Sequence, residues 1–201
     1  MPEEASILQR GLEAFAELGY EHASARELAR RLGVSHNFIN DRYGSKAAFW
    51  RAVLDGALGV QLARLEQPSG PMDEVDRLRQ AVSGFYRSAM DTPLIGRIMV
   101  DELARDTERL DYLYEQYIGP MLQTVVPSVE RLVASGRMAP VPLHVLFFAI
   151  VPPVSGVVDA PLARRLGRPE PASRQQLADT ADTLAAIVVD GLLATGSGNR
   201  S

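Results

Sequence analysis

The sequence predicts an all-α protein, with a small N-terminal helical domain followed by a larger helical one. Three observations carry that expectation. Apolar residues recur at three- and four-residue spacing along most of the chain. Three segments have the capping-box form that opens helices. Alternating apolar and polar stretches, the mark of half-buried strands, are scarce.

Taken in order, Ser6-Ile7-Leu8-Gln9 is the first capping box, and Leu8, Leu12 and Phe15 then share one helical face until Gly19 ends it. Ser24-Ala25-Arg26-Glu27 opens a short second helix, with Ala25, Leu28, Ala29 and Leu32 inward and Gly33 as its stop. Ser35 is the expected N-cap of a very short third helix that carries Ile39 inward. Ser45 caps a fourth, where Phe49, Val53, Ala57 and Val60 form an apolar stripe running to about Leu65. Gln67-Pro68-Ser69-Gly70-Pro71 is the clearest break, placing Pro71 near the first position of the next helix. Long helices are expected over 72–90, after Thr92-Pro93, and over 107–134. An apolar segment, Leu143–Val158, follows, in which Pro152-Pro153 should kink or break a helix. After a linker around Gly167–Pro171, the third capping box, Ser173-Arg174-Gln175-Gln176, opens a final helix to about Ala194. The small polar tail Gly196–Ser201 should fray.

Composition narrows the function classes. The 201 residues are 46% hydrophobic, enough for a full core without metal or disulfide. Cysteine is absent, which excludes zinc-thiolate sites and thiol catalysis and fits a reducing cytoplasm. The acidic start, Met1-Pro2-Glu3-Glu4, lacks a basic stretch followed by an apolar core, so no secretory signal is expected. Val145–Val158 is too short to span a bilayer, so no membrane is expected. The three histidines lack i, i+4 spacing, and no metal site is expected. Phosphate-binding GxxxxGK, dinucleotide GxGxxG and GxSxG nucleophile motifs are missing, so no enzyme and no cofactor are expected.

The net charge of −4 is uneven: between Ser24 and Arg51, Arg26, Arg30, Arg31, Arg42, Lys46 and Arg51 face only Glu27 and Asp41. A local basic patch on an acidic chain is the footprint expected where one small face meets phosphate, or an ordinary solvated helix surface. The patch coincides with helix-turn-helix spacing. Ala29 is the small residue that lets a second helix approach, Gly33 makes the turn, and Ile39 fills the corner with Leu28, Leu32 and Val34.

Residues 7–53 resemble the DNA-binding domain of the tetracycline-repressor (TetR) family. The resemblance rests on Phe15, Gly19-Tyr20, Ser24, Arg26-Glu27-Leu28-Ala29, Gly33-Val34-Ser35 and Tyr43-Gly44-Ser45-Lys46. It implies a DNA-binding domain over 1–50 and an effector-binding and dimerisation domain over 51–201. It also implies a cytoplasmic homodimer that represses transcription and leaves operator DNA when a small molecule binds. The recognition helix departs from the family pattern. Asn37-Phe38-Ile39-Asn40 stands where Gly-Thr-hydrophobic-Tyr is usual, and Arg42-Tyr43 stands for His-Phe, so the operator cannot be borrowed from a relative.

The candidate DNA-binding residues are Ser24, Arg26, Ser35, His36, Asn37, Phe38, Asn40, Arg42, Tyr43 and Lys46. His36 can donate and accept at a base edge. Asn37 suits adenine, and Arg42 suits guanine or a phosphate. Phe38 either touches a thymine methyl or packs on the motif's core. Lys46, the only lysine, follows the Ser45 cap, where ammonium and free N–H groups converge on a phosphate. In the larger domain, Phe85, Tyr86, Met90, Met99, Tyr112, Tyr117 and Met121 have the spacing of a core, and the resemblance makes them candidates to line a pocket for a largely apolar effector. The dimer interface is expected on 143–160 and 175–193, with Leu177, Leu184, Ile187, Val188 and Leu192 as a stripe. The competing expectation is a helical ligand-binding or scaffolding protein that does not bind DNA.

Overall fold

The computed structural model describes residues 3–64, 70–154 and 160–194, and among them there are helices and no strand. The all-α expectation holds. Compactness divides the chain into two units: 1–63 with 94–113, and 64–93 with 114–201. The expected turn at Gln67–Pro71 is only partly within the described residues. Residues 155–158 of the Leu143–Val158 segment and the tail Gly196–Ser201 lie outside them.

The first unit begins with α1 (Glu4–His22), α2 (Ala25–Leu32), α3 (Phe38–Tyr43) and α4 (Lys46–Arg64). Helix α1 starts earlier than the Ser6 box implies, because the Glu3 carbonyl already accepts from Ser6 N–H at 2.9 Å and Ile7 N–H at 3.2 Å. Ser6 therefore sits inside the first turn. Gly19 interrupts α1 at φ 71, ψ 159, a conformation that a Cβ would strain, and Tyr20–His22 add one further turn. Ser45 caps α4 as expected, accepting from Ala48 N–H at 3.0 Å. The stripe on α4 is wider than predicted: Trp50, Leu54 and Leu58 are buried with Phe49 and Val53. Ile7, Leu12, Phe15, Leu28 and Leu32 are buried in the same unit, and the Phe15 and Phe49 rings lie 5.9 Å apart.

Two later helices complete this unit, α6 (Pro93–Glu102) and α7 (Glu108–Leu113), with α5 (Glu74–Asp91) intervening in sequence. The single helix expected over 107–134 is three pieces: α7, a π-helical turn at Tyr114–Ile118, and α8 (Gly119–Ala134). Pro120 cannot donate to the carbonyl four residues back, and the wider turn accommodates that loss.

The second unit is built on α5, α8, α9 (Leu143–Ile150), α10 (Ala160–Arg165) and α11 (Arg174–Ala194). Its core joins Leu78, Val82 and Tyr86 of α5 to Val125, Val129 and Leu132 of α8 and to Ala181, Ala185 and Val189 of α11. Alanines at 181 and 185 let α5 approach α11 closely, and Arg79–Asp190 at 2.8 Å and Arg87–Asp182 edge the seam. Helix α9 stops at Ile150 because Pro152 and Pro153 supply no N–H to the preceding turn. The buried Tyr86 hydroxyl donates to the Ile150 carbonyl at 2.8 Å, satisfying one of the orphaned acceptors, and burial pushes its pKa up to about 12. The third capping box is reciprocal: Gln176 N–H donates to Ser173 Oγ at 3.2 Å, and Ser173 N–H donates to Gln176 Oε1 at 2.8 Å.

Asp73, not Pro71, starts α5. Its carboxylate accepts from Val75 N–H at 2.9 Å and from both Arg137 amino groups at 2.6 and 3.0 Å. Arg137, and then the Val75 amide, hold its pKa at about 2 against an ordinary 3.8. A carboxyl whose folded pKa lies below its unfolded value stabilises the fold above the unfolded value and loses that contribution as pH falls. The melting-temperature gap between wild type and Asp73→Ala is therefore expected in full near pH 6 and to close from about pH 4 towards about 2. A pH-independent gap contradicts this assignment.

Candidate nucleic-acid interface

Helices α2 and α3 form the predicted motif, and local chemistry fixes its geometry. Ser24 caps α2, its hydroxyl accepting from Glu27 N–H at 3.2 Å. The Glu27 side chain does not complete the capping box; it binds Arg30 at 2.6 and 2.8 Å and Arg31 at 3.0 Å, which holds its pKa at about 2. Gly33, at φ 70, closes α2 in the left-handed conformation, with its own N–H reaching Arg30 O at 3.2 Å and that of Val34 reaching Ala29 O at 3.1 Å. Leu28, Ala29, Leu32 and Ile39 are at most 1% exposed and bury the corner between the helices. Helix α3 starts at Phe38, later than a Ser35 cap implies. The Ser35 carbonyl, not its hydroxyl, accepts from Phe38 N–H at 3.0 Å.

Apart from Lys46, the candidate side chains separate into three groups. Arg26, Ser35, His36, Asn37 and Asn40 are exposed, and among the described residues their side chains make no hydrogen bond or ion pair. They occupy the first turn of α2, the α2–α3 connection and α3 itself. Ser24 is exposed but its hydroxyl serves the cap, and the half-buried Phe38 meets the Tyr43 ring edge-on at 6.3 Å. Arg42 and Tyr43 are engaged elsewhere: both bind the Glu4 carboxylate, Tyr43 through its hydroxyl at 2.6 Å. Tyr43, and with it Arg42, holds the Glu4 pKa below its ordinary value, while burial pushes the Tyr43 phenol up to about 12.

The basic patch is weaker in three dimensions than along the sequence. Glu4 and Glu17 of α1 join it, Glu17 binding Arg31 at 2.5 Å, together with Arg10, which donates to the Leu32 carbonyl at 2.9 Å, so seven bases face four carboxylates. Arg51 lies over the Tyr112 ring, 5.0 Å from its centroid. Arg26 keeps its guanidinium clear of these pairings.

Lys46 is half-buried, and its ammonium donates to the Tyr20 carbonyl at 2.9 Å while lying 4.0 Å from the centroid of the Tyr20 ring. Burial lowers its pKa. The same ring carries the Arg109 guanidinium 3.9 Å from its centroid. Arg109 in turn binds Glu21 at 2.9 Å and the buried Glu102 at 2.9 Å.

The candidate effector residues are dispersed. Phe85 and Met121 line an apolar crevice in the second unit with Val82, Val125, Phe147 and Ile150, which encloses about 10 Å³, the space of about one water. Tyr86 is buried with its hydroxyl committed to Ile150. Met90 packs against the second unit's core and Tyr117 sits on the π-helical turn. Met99 and Tyr112 belong to the first unit, where Tyr112 meets Trp50 at 6.2 Å and donates to Asp55. Among the described residues, no group of three or more His, Asp or Glu side chains is placed to hold a metal, and no helix is long and apolar enough to cross a membrane.

Sequence reasoning missed Glu4, Tyr20 and Arg109. Glu4 binds residues 38 and 39 positions away, and Glu21 and Arg109 are 88 apart, separations that no local periodicity reveals. Gly19-Tyr20 was visible only as a helix end.

Residues 7–53 match the family described as bacterial regulatory proteins, tetR family. Over 73 residues the chain is 38% identical to the HTH-type transcriptional repressor Rv3405c of Mycobacterium tuberculosis, covering 36% of this chain and 38% of that protein. The match thus spans well under half the length of that relative. It is 27% identical to the HTH-type transcriptional regulator RutR of Escherichia coli over 154 residues, covering 71% of this chain and 68% of RutR. Among solved structures, a bacterial regulatory protein in the tetR family from Rhodococcus RHA1 superposes with a TM-score of 0.72 at 17% identity, covering 95% of this chain and 98% of that one.

Proposed function

We propose that this chain, whose residues 7–53 match the tetR family, is a DNA-binding transcriptional regulator of the repressor type that is released from operator DNA by a small molecule. The observation that carries this is the row of exposed, unengaged Arg26, Ser35, His36, Asn37 and Asn40 on a motif whose corner is fully buried. Polar side chains of this kind on a short helix read base edges in the major groove, and arginine at the start of the preceding helix holds a phosphate. One short helix reads too few base pairs to be selective, so two copies with half-sites about 34–36 Å apart are required. Exposed Leu143, Val145 and Phe148 on α9 and Ile187 on α11 supply apolar surface for the second copy. Leu192 of the expected stripe is buried in its own core, and Leu184 and Val188 pack against that core.

Arg26→Ala is expected to weaken binding to all duplexes alike and to lower the slope of log affinity against log salt by about 0.9, the signature of one lost phosphate contact. An unchanged slope and affinity remove Arg26 from the interface. The effector is a compact, largely apolar molecule that opens the crevice beside Phe85 and Met121. Because coupling is reciprocal, such a ligand, found by thermal-shift screening, binds the operator complex more weakly than the free protein. Equal affinities in the two titrations reject it as an inducer.

A further inference from the structure

Arg109 has an environment that nothing in the DNA-reading motif requires. It comes from α7, more than sixty residues beyond Lys46, yet two of its three contacts, Tyr20 and Glu21, lie on the last turn of α1, where Lys46 of α4 also docks, and the third, Glu102, ends α6. Its Nε donates to Glu102 at 2.9 Å, an amino group donates to Glu21 at 2.9 Å, and its Cζ lies over the Tyr20 ring, 3.9 Å from the centroid. Glu102 is 3% exposed, so the pair is anchored away from solvent. Two carboxylates offset the arginine charge, which allows it to share the Tyr20 ring with the Lys46 cation. Only a planar, forked cation can meet one carboxylate with Nε, another with an amino group, and an aromatic face with its plane.

What this holds in place is the short turn after Gly19. That turn carries the Tyr20 carbonyl to which Lys46 donates at 2.9 Å. An ammonium has three donors, so one fixed on Tyr20 leaves others for a phosphate while the side chain's freedom is already reduced. Helix α7 is further fixed to α4 by the Trp50–Tyr112 contact at 6.2 Å and by Arg51 over Tyr112.

We propose that Arg109 is a positioning residue for DNA binding: through Tyr20 it holds Lys46 ready for a phosphate, so α7 sets DNA affinity without touching DNA. This rests on the proposed function above, and the experiment separates the two. Full-length wild type, Arg109→Gln, Arg109→Lys, Lys46→Ala and the Arg109→Gln/Lys46→Ala double variant are titrated into a fluorescently labelled duplex of arbitrary sequence across a salt series. Wild type binds with a salt-dependent affinity, and Arg109→Gln loses about three- to tenfold, within the range of a coupled pair. The double variant binds as Lys46→Ala alone does, because Arg109 acts through Lys46. Arg109→Lys restores part of the loss by keeping the cation without the fork. Unchanged affinity in Arg109→Gln, or an equal loss with and without Lys46, overturns the positioning role and leaves the DNA-binding function standing. If wild type shows no salt-dependent binding, the proposed function falls and takes the positioning role with it. Should Arg109→Gln fail to fold by thermal melting, Tyr20→Leu removes the shared ring and keeps the Arg109–Glu102 pair; the same loss and the same absence of additivity with Lys46→Ala are expected, and additive losses overturn the proposal.

Discussion

Phe49→Ala is expected to destabilise the first unit by about 3–5 kcal/mol, the usual cost of emptying a fully buried aromatic site. Phe49 has no exposed surface, and its ring lies 5.9 Å from that of Phe15 and 4.8 Å from that of Tyr43. It therefore joins α1, the end of α3 and α4, the three elements that set the angle of the recognition helix. Its partner across the interface is an absence of side chain. A Cβ at Gly11 would lie 2.7 Å from Phe49 Cζ and 2.6 Å from Val53 Cγ2, closer than carbon atoms pack. Gly11→Ala is thus expected to cost about 1–3 kcal/mol by overpacking. The two losses should add less than fully, because removing the Phe49 ring relieves its clash with the new methyl while the Val53 contact remains. Chemical denaturation followed by the fluorescence of Trp50, the single tryptophan, reports on this unit directly. A loss below about 1 kcal/mol for Phe49→Ala contradicts the packing described for this core.

The triple variant His36→Ala/Asn37→Ala/Asn40→Ala is expected to bind operator no more tightly than unrelated DNA. Each good base contact is worth about 1–3 kcal/mol of discrimination, and specific sites are typically about 10³-fold or more tighter than the background. None of the three side chains supports the fold, since all are exposed and make no hydrogen bond or ion pair among the described residues. Stability should accordingly stay within about 0.5 kcal/mol of wild type. Salt-dependent binding should persist, since phosphate contacts are left in place. If the triple variant still distinguishes operator from a scrambled duplex, these residues do not read it.

Local chemistry was the legible part of the sequence. Ser24, Gly33, Ser45 and the Ser173–Gln176 box all announced helix ends through hydrogen bonds spanning at most a few residues, and the structure uses them there. Ser6 and Ser35 carry the same chemistry but not the same role. A carbonyl three residues before Ser6 begins α1 earlier, and the Ser35 carbonyl delays α3 to Phe38. The π-helical turn before Gly119-Pro120 was readable in principle, since a proline at that position breaks an otherwise continuous helix.

Charge was the misleading part. Counting residues 24–51 alone gives a strongly basic patch, whereas Glu4 and Glu17 of α1 fold back onto Arg42 and Arg31. A charge count along the chain cannot register carboxylates delivered by another helix. The aromatic and methionine residues of the larger domain were equally ambiguous. Composition cannot separate Phe85, which lines a crevice, from Tyr86 beside it, whose hydroxyl ends a helix. Nor does it show that Tyr112 packs on Trp50 in the first unit.

The central claim, sequence-specific recognition of DNA by a symmetric pair of these motifs, is tested most directly by incubating the full-length protein with fragmented genomic DNA at about 150 mM salt, recovering the bound fragments and sequencing them. The expected result is a small set of fragments that share an inverted repeat, with half-sites one helical turn or a whole multiple of it apart, and that are lost when the triple variant replaces wild type. Recovery of no fragments, or of fragments with no common sequence, would contradict it and favour a helical ligand-binding or scaffolding protein that does not act on DNA.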